Sequence, residues 1–267
     1  MPGGADIQAR PDMRPLPPNI AEIGSRYYRF RIFHAESSDG QRHYRVWTGI
    51  PVTPPPASGY PVLYMLDGNA VMSRLTDKLL GQLLDRNPPV LVAIGYRTRL
   101  PFSTEARRRD YLVNICEKMS HPGAGSDEFR SLIENRIAME AEQGVPVNVR
   151  RRGLWGHSFG GLFVLGARQT STFFQYFYSA SPSLKDNNIA FYSYEGVAAQ
   201  HHCQYLMLME GKGTESKIRH LSQLRTGLRH SELWIYSERS HGEVFNHSLQ
   251  SALWHISSEA SGWNCPE

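Results

Sequence analysis

Cysteine is scarce in this 267-residue chain, and Cys116, Cys203 and Cys265 are far apart and odd in number. That spacing argues against a disulfide framework and against a thiolate zinc site, so the three read as unpaired thiols. No apolar run approaches the length of a bilayer-spanning helix, and the opening stretch MPGGADIQARPDMRPLPPNI, rich in Pro and Gly, lacks the apolar core of a signal peptide. The expectation is a cytoplasmic protein without a membrane role, or a periplasmic one if a signal peptide has been removed. Internal repeats are absent, as is any composition break that would mark a second domain. No zinc finger, RNP-type aromatic pattern or basic helix accompanies the arginines, which speaks against nucleic acid as a partner. Neither a metal nor a cofactor is expected.

What is present can fill a sizeable core: 40% of residues are hydrophobic and 11% aromatic. Residues 1–20 read as a loose Pro-rich leader and 21–267 as a single domain. Residues 27–33 and 43–50 alternate apolar and polar positions around the turn-forming ESSDGQR, which predicts an antiparallel hairpin. Short continuous apolar runs follow at 60–66, 89–96, 151–156, 174–180, 203–210 and 231–237. Helical segments are expected between and after them, at about 71–85, 126–143, 160–170, 215–229 and 245–258. Strands without polar alternation belong inside a sheet covered on both faces. The result is an α/β fold, a doubly wound, mainly parallel sheet with antiparallel N-terminal strands.

Gly156-His157-Ser158-Phe159-Gly160 matches G-x-S-x-G and sits between a predicted strand and a predicted helix, followed by Gly161. A nucleophile elbow has that placement: a sharp turn holds the serine in strained backbone and leaves no room for side chains at the flanking positions. A serine hydroxyl needs a base, and the base an orienting carboxylate. His241, in SERSHGEVF just after the last strand, is the candidate base. The acid is expected after the strand QYLMLME, at Glu215 beyond the GKGT turn or at Glu210 on the strand's end, with a dyad lacking any acid as the third possibility. Oxyanion donors are expected from the amide of Phe159 and from the turn Asp67-Gly68-Asn69, Asn69 foremost.

The formal charge is +4, and basic residues cluster in EARRRDY and VRRRG. They read either as solvated faces or as a field that attracts an anionic substrate. Beside a serine esterase acting on an anionic substrate two rivals stand: a general carboxylesterase, and an idle protein that captures an anionic ligand.

GYPVLYMLDGNAVM, VLVAIGY, GHSFGGLFVL and SASPSL, in this order, resemble the esterase D-type α/β hydrolases. Within them they are similar to the esterases of tri-catecholate siderophores such as enterobactin and salmochelin. The resemblance spans about residues 25–258. It implies an α/β-hydrolase fold, Ser158 as nucleophile, His241 as base, amides near Asn69 and Phe159, and a small-molecule ester substrate, ferric or iron-free. MEGKGTES is similar to the acid-bearing turn of that branch, which implies Glu215 as acid. The arginine that meets the catecholate falls at Arg107, with Arg109 as a neighbour able to substitute. The chain departs from the family pattern at Leu112-Val113 and at Leu184-Lys185-Asp186.

Overall fold

The computed structural model describes residues 11–113, 125–194, 204–228, 231–236 and 238–258; the three cysteines lie outside these residues. The two alternating runs form β1 (Tyr28–Glu36) and β2 (His43–Pro51), paired antiparallel in a single register from Tyr28 opposite Pro51 to Glu36 opposite His43. The continuous apolar runs form β3 (Tyr60–Met65), β4 (Val90–Tyr96), β5 (Val147–His157), β6 (Tyr176–Ala180), β7 (Tyr205–Glu210) and β8 (Ser231–Ile235). These join one sheet in the order β1-β2-β4-β3-β5-β6-β7-β8, antiparallel between β1, β2 and β4 and parallel elsewhere.

The lack of polar alternation has the cause expected of a two-sided sheet. Every residue of β3, β4, β6 and β7 is buried, and successive side chains feed two separate cores. Val62, Tyr64 and Leu66 pack on one face with Val92, Ile94, Leu206 and Leu208, whereas Leu63 and Met65 pack on the other with Ala93, Met207 and Met209. Helix Phe159–Thr170 covers the first face and helix His241–Ile256 the second, where Trp155 donates its indole N–H to Ser248 Oγ at 3.1 Å.

Several elements differ from the sequence expectation. The helix expected at 71–85 is two helices, Gly68–Met72 and Asp77–Leu84, because the Thr76 side chain caps a new start by accepting from Leu79 N–H. The 126–143 segment is helical through Leu132, loosens to a π turn at Ile133–Ile137 and resumes to Ala141. Helix Thr104–Tyr111 was not expected. The last helix begins four residues early, at His241, because Ser240 and Glu243 form a reciprocal capping box.

The sheet reverses its order at β3, with β4 on one side and β5 on the other. Open α/β sheets bind ligands outside the carboxyl ends of strands at such a switch point. The turns leaving β3 and β5 carry Asp67 and Ser158.

Candidate active site

Ser158 follows β5 at φ 63°, ψ −114°, a left-handed conformation forced on a non-glycine residue. The turn closes because its neighbours lack side chains. A Cβ at Gly156 would run into the backbone of Gly160, and one at Gly161 would come within 2.8 Å of the Ala180 carbonyl. Three backbone bonds hold the strained turn: Ser158 N–H donates to the Ala180 carbonyl at 2.9 Å, and the Ser158 carbonyl accepts from Leu162 N–H at 3.2 Å and from Ser183 N–H at 3.4 Å. The amides of Phe159, Gly160 and Gly161 therefore precede the first intrahelical bond and are open to another acceptor.

His241 Nε2 lies 3.1 Å from Ser158 Oγ. Burial, reinforced by the charges of Lys217 and Arg107, lowers the His241 pKa from the usual 6.5 to about 4. Its place at a helix N-terminus disfavours the imidazolium in the same direction. The imidazole is thus held neutral and ready to accept a proton. Behind it His157, fully buried, donates from Nε2 to the His241 carbonyl at 2.7 Å, with ring centroids 4.7 Å apart. Burial and the neighbouring His241 push the His157 pKa well down, so it is a neutral hydrogen-bond donor.

The structure brings neither expected acid to the histidine. His241 Nδ1 is buried and has no hydrogen-bond partner among the described residues. Glu215 is exposed in the first turn of helix Glu215–Thr226; the Thr214 cap starts that helix at Lys217 N–H, which puts the Glu215 carboxylate at a favourable dipole end instead of across the site. Glu210 is buried, and its Oε1 accepts from Ser181 Oγ at 2.7 Å and from Gly211 N–H at 2.9 Å.

The two expected substrate arginines also have partners within the protein. Helix Thr104–Tyr111 puts Arg107 and Tyr111 on one face, four residues apart, and both meet Asp67. Arg107 Nε and Nη2 fork onto the Asp67 carboxylate at 3.0 and 2.9 Å, while Tyr111 Oη accepts from Asp67 N–H at 3.0 Å. Only 11% of the Arg107 side chain and 1% of Asp67 is exposed. Arg109 instead forks onto Asp110, a fully buried carboxylate that also accepts from Tyr44 and Tyr96. Arg109 keeps 29% of its side chain exposed and, with His43, Arg97 and Ser103, lines an open cavity of about 360 Å³.

Asp67 itself is left-handed at φ 51° and leads into helix Gly68–Met72. The Asn69 side chain is committed: its Nδ2 donates to Tyr96 and Thr98 carbonyls at 3.0 and 2.8 Å, and its Oδ1 accepts from Tyr96 N–H at 2.8 Å. Any oxyanion donor here is a backbone amide. Two residues in this site carried no assigned role in the sequence, His157 inside the elbow motif and Ser183 in SASPSL; the latter's Oγ lies 3.0 Å from Ser158 Oγ. The only signal for either was proximity to a motif already singled out.

The described residues hold no group of three or more His, Cys, Asp or Glu able to bind a metal, and no helix long and apolar enough to cross a membrane.

The esterase family model matches residues 37–261. The chain is 45% identical over 282 aligned residues to the apo-salmochelin esterase of Escherichia coli O6:H1, covering 97% of this chain and 89% of that protein. It is 34% identical to the ferri-bacillibactin esterase BesA of Bacillus subtilis, over 57% of each chain. Among solved structures, the enterobactin and salmochelin hydrolase IroE superposes with a TM-score of 0.80 at 46% identity, over 91% of this chain and all of that one. With an elbow serine and a neutral histidine at the switch point of its sheet, the chain belongs to the esterase family.

Proposed function

We propose that this protein hydrolyses the ester bonds of a tri-catecholate siderophore, opening an enterobactin-like trilactone so that its iron is released. The observation that carries the chemistry is the 3.1 Å approach of His241 Nε2 to the strained Ser158 hydroxyl. The substrate class rests on the likeness to siderophore esterases over nearly the whole chain.

The reaction follows from the geometry. Ser158 Oγ attacks the ester carbonyl as its proton passes to His241 Nε2, and the carbonyl oxygen becomes an oxyanion. That charge is assigned to the Phe159 amide at the start of its helix and to a backbone amide of the Gly68-Asn69 turn. His241 returns the proton to the departing alkoxide, leaving an acyl-enzyme on Ser158. Water, deprotonated by His241, then attacks the acyl carbon; Oγ leaves and recovers its proton. The His157 bond to its carbonyl and the capping box at Ser240 fix the His241 backbone, while the ring's Nδ1 is buried without a partner among the described residues. Lys217, whose charge acts on His241, and Arg109 with Arg97 at the open cavity supply a field suited to an anionic catecholate.

The test follows the products of enterobactin and of a glucosylated analogue by chromatography and mass spectrometry, with and without Fe(III), beside p-nitrophenyl butyrate. Ring-opened and shortened catechol-serine esters are expected, at a kcat/KM above that for the neutral ester. Good turnover of simple esters with no cleavage of any tri-catecholate would leave a general carboxylesterase. No turnover of either would favour a ligand-capturing protein.

A further inference from the structure

We propose that Ser183 is a catalytic residue, whose hydroxyl donates to Ser158 Oγ and stabilises the negative charge that builds there as the nucleophile forms. The proposal rests on the serine esterase reading above. Among the described residues Ser158 Oγ has two polar neighbours, His241 Nε2 at 3.1 Å and Ser183 Oγ at 3.0 Å. A hydroxyl carries one proton. When His241 is in the tautomer able to act as base, Nε2 is an acceptor and takes the single Ser158 proton as its hydrogen bond. The proton between the two serine oxygens must then belong to Ser183.

The segment that bears Ser183 is built to hold it there. Ser181 sits at φ 40°, anchored by its N–H on the Met209 carbonyl at 2.8 Å and by its Oγ on Glu210 at 2.7 Å. Pro182 then fixes the direction of the chain. The Ser183 carbonyl accepts from Asn188 Nδ2 at 3.1 Å, and Asn188 Oδ1 in turn accepts from Lys185 N–H at 2.7 Å. Glu210, which the sequence offers as a triad acid, thus acts one step removed, as a brace on the turn that presents Ser183.

The proton balance is simple. During attack the Ser158 proton moves to His241 while Ser183 keeps its own and bonds to the increasingly negative Oγ. During deacylation Oγ departs from the acyl carbon as an alkoxide, again bonded by Ser183, until His241 returns the proton. In a site where His241 Nδ1 meets no carboxylate, stabilisation of the alkoxide itself supplies assistance from the other end of the proton transfer.

Wild type, Ser183→Ala and Ser183→Thr are compared for the rate at which an organophosphonate labels Ser158, and for turnover of p-nitrophenyl butyrate across a pH series. Loss of a hydrogen bond to a charged oxygen predicts labelling and kcat lower by about 10- to 100-fold in Ser183→Ala. KM and the pH midpoint set by His241 should stay unchanged, and Ser183→Thr should recover most of the rate. If Ser183→Ala fails to fold, Ser183→Val against Ser183→Thr gives the same contrast between near-isosteric side chains. Rates within twofold of wild type, or a loss accompanied by a shifted pH midpoint, would overturn the proposal. Absence of labelling in the wild type would instead overturn the serine esterase reading.

Discussion

Glu215 and Glu210 show how little a residue's spacing in sequence says about what its carboxylate does. Glu215 is exposed at a helix start, whereas Glu210 is buried and braces Ser181. Glu215→Gln is therefore expected to leave kcat within about threefold, a helix-dipole effect being worth under ~1 kcal/mol. Glu210→Gln removes the acceptor of a buried charge-assisted bond, worth about 1.5–3 kcal/mol, and should lower both kcat and thermal stability. Steady-state kinetics and thermal melts of the two variants check this ranking; a large kcat loss in Glu215→Gln alone would restore it as the acid. Ser158 was legible because an elbow constrains Gly156 and Gly161 at once. His157 and Ser183 were not, since each works through one hydrogen bond to a partner 84 or 25 residues away, and no local pattern encodes that pairing.

Among the elements, the sheet was the most legible and the short polar helix the least. Strands buried on both faces must be apolar throughout, so β3, β4, β6 and β7 stand out from their flanks. TEARRRDY has no apolar stripe to betray a helix; its inward face is a guanidinium and a phenol, and it is held by Asp67. That is why the arginine cluster, read as a substrate contact, serves in part as a bolt between this helix and the turn after β3. Breaking a buried ion pair from one side strands a charge, at a cost of about 3–5 kcal/mol. Arg107→Ala should accordingly lower the melting temperature markedly and depress kcat for every ester, charged or neutral. Arg107→Lys should recover little, because a point charge cannot fork onto both oxygens. A stable Arg107→Ala protein with a raised KM for siderophore alone would return this residue to the substrate.

At the scale of the whole molecule, buried histidines set how the fold responds to acid. Burial lowers His241 and His255 from 6.5 to about 4, and holds His157 well below its usual value. Each binds protons more readily unfolded than folded. Their contribution is fully present above about pH 6.5 and is lost as the pH falls through the window down to about 4. Melting temperatures should drop across that window, and His255→Gln, remote from the nucleophile, should flatten the dependence; an unchanged slope would contradict it.

An esterase working through one serine is marked by peptide mapping after exposure to an organophosphonate, with turnover of Ser158→Ala measured in EDTA alongside. A single adduct on Ser158 is expected, with a loss of turnover by several orders of magnitude in a variant that remains folded, about 10⁴-fold or more for a removed nucleophile. An adduct elsewhere, or undiminished hydrolysis by Ser158→Ala, would contradict it.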